Sequence, residues 1–294
     1  MKSILKPKKS IFIVYLIIPV LIYFFVIILP IISASYYSLF KWSGGPKMKF
    51  IGLSNYDKLI HDVIFWKSFL NNLTITIICI VGQIGIALIL ALFINSKAIK
   101  LKKAHLAVSY FPVILSAVVV GYIWSMLYDY NNGLLNSLLK LVGADNLVRP
   151  WLSDSNLALI LVSFPLIWKN IGYFLIIILS GLSSFDKSIL EMSEIDGATS
   201  IKKFWFITLP MLRKTLVVCL TLCISGNMKV FDHIYVMTGG GPGTSTMVMA
   251  LHAYQNSFVR YKMGYGSSLS IGILVLSIFI TMLARKITLE KSES

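Results

Sequence analysis

The chain has 294 residues, of which 57% are hydrophobic and only 13% are charged. Soluble globular domains carry about 25% charged residues, so this composition excludes a soluble domain, and it equally excludes a disordered chain or a coiled coil. The formal net charge is +15, which in a soluble protein could indicate a nucleic-acid partner. Because the basic residues stand between long apolar runs, we predict a membrane protein with no nucleic-acid partner.

Six apolar segments are long enough to cross a bilayer, since one spanning helix needs about 20 apolar residues. In chain order they are Ile11–Tyr37, Phe69–Ile94, Leu106–Leu127, Leu157–Leu182, Thr215–Met237 and Ser267–Ala284. They predict an all-α polytopic membrane protein with six transmembrane helices. We place the six in one membrane domain of residues 11–289, between a basic N-terminal segment (1–10) and a short tail (290–294).

The distribution of lysine and arginine predicts the orientation, because cytoplasmic segments of membrane proteins carry an excess of these residues. With a cytoplasmic N-terminus, sixteen basic residues fall in inside segments, nine in outside loops and two within spans. We therefore predict that both termini are cytoplasmic. The same orientation places the loop of residues 183–210 in the cytoplasm.

The chain lacks the patterns of common catalytic and metal sites. A P-loop needs a lysine after its glycine-rich turn, and none follows the glycine-rich stretch Gly239–Gly243. The three cysteines lie inside apolar runs, and the four histidines have no metal-ligand spacing. We expect no enzyme activity, no metal site and no cofactor bound by this chain. Ion-coupled carriers usually hold carboxylates within their spans, and here Asp232 is the only one in a predicted span.

Two short helices are predicted in the loop of residues 183–210. Ser184 or Asp186 can cap the first helix, and Gly197 permits a turn that a side chain would crowd. The second helix then runs to Leu209, where Pro210 stops it. From this pattern alone, the loop is equally a docking surface for a partner and a simple connection between two spans.

The loop of residues 183–210 contains nine residues at a characteristic spacing. They are Glu191, Met192, Ser193, Asp196, Gly197, Ala198, Ile207, Leu209 and Pro210. The pattern resembles the EAA loop of ABC importer permeases, with Met192 and Ser193 at positions where that family prefers alanine.

A second motif runs from Phe231 to Pro242 and is followed by Ser245 and Thr246. It resembles the end of the fifth span in the carbohydrate-uptake permeases related to the maltose and glycerol-3-phosphate permeases. Both motifs stand in the order that this family requires.

The resemblance implies the type I ABC importer permease fold in a bacterial plasma membrane. It implies a heterodimer with a second homologous permease, two cytoplasmic ABC ATPases that hold ATP and magnesium, and an extracytoplasmic solute-binding protein. Membrane lipid surrounds the permease. In the family the EAA loop seats on the ATPase, and this gives Glu191 and its neighbours a coupling role.

The implied activity is translocation of a di- or oligosaccharide delivered by the binding protein. Import of glycerol-3-phosphate or an acidic sugar by the same machinery stays open, because Lys169 and Lys229 lie within predicted spans. The alternative from another class is a self-sufficient ion-coupled carrier or channel, which would leave the EAA loop without a function.

Polar and aromatic side chains within spans are candidates for the substrate pathway, because polar groups are costly in hydrocarbon. The candidates on the fourth and fifth predicted spans are Lys169, Asn170, Tyr173, Asn227 and Phe231. Secondary candidates on the second span are Asn71, Asn72 and Gln83. In the structural alternative, Lys169 or Lys229 pairs with Asp232, and the asparagines hydrogen-bond neighbouring helices.

Thiol labelling tests the predicted orientation. Cysteines introduced at Lys47 and Lys140 should react with a membrane-impermeant thiol reagent in intact cells, because both positions are predicted to lie outside. A cysteine at Lys203 should react only after the membrane is opened. The unmodified chain, with its three cysteines inside apolar runs, is the unlabelled control, and the reverse pattern would overturn the orientation.

Overall fold

A computed structural model of the protein describes residues 9–96, 99–186, 188–189, 192 and 200–290. Its described part is predominantly helical, which confirms the predicted fold class. The helices long and apolar enough to cross a membrane are Tyr15–Tyr37, Val63–Asn95, Ala158–Ser183, Ile201–Asn227 and Met263–Thr288. A sixth crossing forms if the bent pair Lys102–Ile114 and Ala117–Leu127 is one span. We number these spans in chain order, with the bent pair as the third.

Several spans consist of α-helical segments joined by π-helical turns. The α-helices within spans are Lys9–Tyr23, Leu29–Tyr37, Val63–Cys79, Ile86–Asn95, Lys102–Ile114, Ala117–Leu127, Ala158–Leu161, Ser163–Ser183, Ser200–Lys203, Leu209–Asn227 and Met263–Glu290. The π segments are Phe24–Ile28, Ile80–Gly85, Phe204–Thr208 and Gln255–Val259. The other helices are Ser54–Ile60, Leu134–Leu141, Asp232–Met237 and Met249–Tyr254, with 3₁₀ turns at Asp145–Leu147 and Trp151–Ser153.

The chain divides into two compact units. The first combines Met1–Asp62 with Ala253–Gly272, and the second combines Val63–His252 with Ile273–Ser294. In the first unit the strands Phe40–Trp42 and Met48–Phe50 pair as an antiparallel hairpin. The candidate site lies wholly in the second unit.

The third span is broken where the sequence predicted a continuous helix over Leu106–Leu127. Its two helices meet at 96°, and Leu115 and Ser116 between them are extended. The Ser116 hydroxyl accepts the Val119 N–H at 3.2 Å and caps the second helix. Pro112 removes a backbone donor just before the break. The apolar composition of Leu106–Leu127 did not reveal this break, because it follows from the proline and the serine cap.

The fifth span occupies Ile201–Asn227, whereas the sequence predicted Thr215–Met237. It also continues through Pro210, so the predicted stop at this proline was wrong. A π-helical turn over Phe204–Thr208 precedes the proline, and this wider turn relieves the clash between the proline ring and the preceding carbonyls. The first span has the same arrangement, with a π-helical turn before Pro30.

The helix of the fifth span is interrupted after Asn227, and the chain resumes as the short helix Asp232–Met237. Asp232 therefore lies beyond the span, although the sequence placed it inside. Interruptions of this kind free backbone carbonyls that cannot turn to water in a membrane. They need partners from other parts of the protein.

Asn72 of the second span supplies these partners. Its side-chain amide nitrogen donates to the carbonyls of Asn227 and Met228 at 2.9 and 3.3 Å. Its amide oxygen accepts the Met249 N–H at 2.9 Å. The side chain is fully buried, so one residue joins the second span, the end of the fifth span and the chain before the sixth.

The neighbouring Asn71 anchors the glycine-rich loop in the same way. Its amide nitrogen lies 3.1 Å from the Ser245 carbonyl and 2.8 Å from the Met247 carbonyl. Gly240 in this loop has a φ of +95°, and a side chain there would also press on Met247. The loop is thus a fixed structure held on the second span.

Replacing Asn72 tests whether this clamp maintains the fold. Asn72→Leu keeps the volume but leaves the Met249 N–H and the Met228 carbonyl without the amide, at a cost of about 1–3 kcal/mol for each buried group. The purified variant should therefore melt at a lower temperature and yield less folded protein. Thr74→Leu is the control, because Thr74 is exposed and its hydroxyl bonds only within its own helix. Equal melting temperatures for both variants would refute the role of the clamp.

Candidate functional site

A cavity of about 480 Å³ lies between the fourth and fifth spans. It is lined by Gln83, Ala117, Leu166, Lys169, Asn170, Tyr173, Phe174, Leu222, Cys223, Gly226, Asn227, Lys229, Val230, Phe231, Asp232 and His233. All five residues selected from the sequence for the substrate pathway are in this set. Their contact with a substrate stays a prediction.

The fourth span contributes Lys169, Asn170 and Tyr173. Close packing sets the position of Lys169, because Gly172 on the same helix lies where a side chain would collide with the backbone of Ser109. The third span approaches closely there, and the Lys169 ammonium donates to the Val113 carbonyl at 3.1 Å. That carbonyl lies beside the break in the third span, so the lysine serves the break as a hydrogen-bond donor.

Two asparagines line the cavity, one from each span. The Asn170 amide donates to the Leu166 carbonyl at 2.9 Å, and the Asn227 amide donates to the Cys223 carbonyl at 2.8 Å. Each bond lies within the asparagine's own helix. The structural alternative, in which these two amides hydrogen-bond neighbouring helices, is therefore contradicted, and among the described residues neither amide oxygen has a hydrogen-bond partner.

Aromatic rings lie on both sides of the cavity. Tyr173 of the fourth span is 37% exposed. Phe231, in the interruption after the fifth span, stacks on Tyr235 with ring centroids 5.2 Å apart and planes 15° apart. A flat apolar ring with amides nearby suits the apolar face and the hydroxyl edge of a sugar.

Gln83 links three spans at this cavity. Its amide nitrogen donates to the Leu166 carbonyl at 2.9 Å, and its amide oxygen accepts the Cys223 thiol at 3.4 Å. Among the secondary candidates, Gln83 alone belongs to the cavity lining, whereas Asn71 and Asn72 hold backbone. The three cysteines are buried and free.

The lysine, aspartate and histidine side chains that line the cavity are Lys169, Lys229, Asp232 and His233. Within the described residues, no ion pair of 4.0 Å or less joins any of them. The structural alternative, in which Asp232 pairs with either lysine, is therefore contradicted. Sequence reasoning did not select His233, since a single histidine in an apolar stretch carries no signal for a site.

Most of the EAA-like pattern lies outside the described residues, including Glu191, Ser193, Asp196, Gly197 and Ala198. On its near side, the Asp186 carboxylate accepts the Ser188 N–H at 2.9 Å, and this bond lowers the pKa of the carboxyl group. On its far side, Ile207, Leu209 and Pro210 belong to the fifth span.

Residue Met192 of the EAA-like pattern, between the undescribed stretches, is 63% exposed.

The described chain offers no metal site of the usual kind, since it has no cluster of three or more histidine, cysteine, aspartate or glutamate side chains.

A family model for the inner-membrane component of binding-protein-dependent transport systems matches residues 83–288. The match covers both the cavity and the EAA-like pattern. The chain belongs to this family. The family's description places the protein in the inner membrane, and the apolar spans described above make it a multi-pass membrane protein.

Individual relatives align over nearly the whole chain. The probable ABC transporter permease YurN of Bacillus subtilis is 32% identical over 92% of this chain and 93% of its own length. The multiple sugar-binding transport system permease MsmF of Streptococcus mutans is 30% identical over 93% of both chains. In the crystal structure of a bacterial ABC transporter that imports the acidic polysaccharide alginate, one chain superposes with a TM-score of 0.81 at 22% identity, covering 96% of each chain.

Filling the cavity should block transport without disturbing the fold. Gly226 lines the cavity, and no atom lies within 4 Å of where its Cβ would be. Gly226→Leu should therefore assemble normally and reduce substrate uptake at least tenfold, measured in cells with surface expression quantified. The contrasting variant Gly172→Leu should fail to assemble, because its side chain would meet backbone. Normal uptake by Gly226→Leu would show that substrate does not cross this cavity.

Proposed function

We propose that the chain is the permease subunit of an ABC importer that translocates a di- or oligosaccharide delivered by an extracytoplasmic binding protein. The observation that carries this proposal is a cavity that collects aromatic, amide and charged groups from the fourth span, the fifth span and the interruption that follows the fifth span. Its volume of about 480 Å³ suits one or two sugar rings. The relative MsmF, named for sugar transport, supports the substrate class.

The cavity residues act as a transient site. Tyr173 and Phe231 offer ring faces, while the amide oxygens of Asn170 and Asn227 accept sugar hydroxyls. Each such hydrogen bond contributes about 0.5–1.5 kcal/mol. A few of them orient the sugar yet let it leave, as transport requires.

The energy comes from partner ATPases. Each described span lacks aspartate and glutamate, whereas carriers driven by proton gradients use such residues. This favours an ATP-driven importer over the self-sufficient carrier or channel. Glu191 and its neighbours in the EAA-like loop couple the permease to two cytoplasmic ATPases, which hold the ATP and magnesium, and the chain itself has no catalytic role.

A second permease completes the membrane assembly. The first span has an apolar stretch of mean hydropathy 2.9, and none of that stretch is buried within the chain. A second homologous permease and membrane lipid both suit such a surface. In the proposed assembly, both termini and the coupling loop of this chain lie in the cytoplasm. The binding protein lies on the outer side of the membrane.

This function can be tested by measuring substrate uptake and ATP hydrolysis in parallel on the same variants. Tyr173→Ala and Asn227→Ala should each lower uptake several-fold in the assembled transporter, because each removes a substrate contact. ATPase activity stimulated by the binding protein should persist in part. Gly197→Pro should abolish both activities while the subunit stays in the membrane, because proline fixes φ and removes an N–H from the coupling turn.

Each outcome has a distinct meaning. Unchanged uptake and sugar preference in both alanine variants would reduce these residues to packing contacts. Normal uptake in Gly197→Pro would place the coupling turn elsewhere.

A further inference from the structure

The cavity contains a cation deep inside a membrane helix. Lys169 lies eleven residues after the start of the fourth span at Ala158, about 16 Å along the helix axis. Its side chain is half-buried. A charged group at this depth is costly, and such groups are usually functional.

This cation has a hydrogen-bond acceptor but no counter-charge. Its described contact is the neutral Val113 carbonyl at 3.1 Å, and no described carboxylate lies within 4.0 Å of its ammonium. An ammonium group has three donors, so two remain for a ligand in the cavity. A buried charge is stabilised by a paired opposite charge, and a ligand can supply that charge.

The other ionisable groups of the cavity leave this imbalance in place. Lys229 and Asp232, which are both exposed, offset each other in charge. The His233 side chain is only 5% exposed, and its Nε2 atom is buried without a hydrogen-bond partner in the described chain. Lys169 therefore leaves the cavity with a surplus positive charge.

We propose that the transported substrate is a saccharide bearing an oxyanion, such as a uronate carboxylate, which sits against Lys169. This inference rests on the proposed function and narrows its substrate class. The oxyanion supplies the counter-charge for Lys169, and its oxygens accept the two remaining ammonium protons. The sugar ring lies toward Tyr173 and Asn227.

Two substitutions separate this role from the structural role of Lys169 at the break in the third span. Lys169→Gln keeps an N–H donor for the Val113 carbonyl but removes the charge. Lys169→Arg keeps both the charge and the donors. Lys140→Gln is the matched control, because it removes one exposed lysine in the helix Leu134–Leu141, away from the cavity.

The experiment measures uptake in cells that depend on the complete transporter with its own binding protein. Radiolabelled trigalacturonate is the anionic probe, and maltotriose is the neutral probe of equal length. We expect the wild type to prefer trigalacturonate, and Lys169→Gln to lose at least tenfold of that uptake while any maltotriose uptake and membrane assembly are unchanged. Lys169→Arg and Lys140→Gln should stay within about threefold of the wild type.

The failures are distinguishable. Uptake of maltotriose alone would overturn this inference and leave the proposed function standing. Equal losses for both probes, or loss of assembly in Lys169→Gln, would assign Lys169 to the break in the third span and also overturn it. Uptake of neither probe, extended to a panel of neutral and acidic oligosaccharides, would overturn the proposed function itself.

Discussion

The architecture around the cavity depends on how backbone groups are satisfied where membrane helices break. Water cannot serve these groups in hydrocarbon, so the protein must supply the partners. Asn72 does this for the end of the fifth span, and Lys169 does it for the third span. Both breaks lie beside the cavity, since Ala117 after the first break and residues 229–231 after the second line it. Two helices stop beside the cavity, and the Asn72 and Lys169 side chains bind the backbone carbonyls that these stops leave free.

Polar residues within the spans therefore fall into two groups with different tasks. Asn71 and Asn72 direct their amides to backbone of other segments and belong to the scaffold. Asn170 and Asn227 direct theirs to their own helices, so their amide oxygens stay available beside the cavity. Composition alone does not separate the groups, because all four are asparagines in apolar helices. The partner of each amide decides, and that depends on the tertiary fold.

The sequence was informative where hydrophobicity and helical spacing decide the structure. The first, second, fourth and sixth spans follow from apolar length, and Asn170 and Tyr173 share a face because they stand three residues apart. The breaks could not be predicted from the apolar pattern, since Pro112 stands just before the interruption in the third span whereas Pro210 lies within a continuous helix. The difference comes from a π-helical turn, which no residue type announces. His233 was missed for a related reason, because its burial without a partner is a property of the fold.

The π-helical turn over Phe204–Thr208 also sets a rotational register. A π turn accommodates one extra residue, and one residue corresponds to about 100° of rotation in an α-helix. This turn therefore sets the direction in which Asn227, some twenty residues further on, faces relative to the start of the span at Ile201. Conversion of the turn to regular α-helix would rotate the two ends of the span relative to each other about the helix axis. The segment that accommodates Pro210 therefore also sets the rotation of the cavity-facing end of the span relative to its start at Ile201.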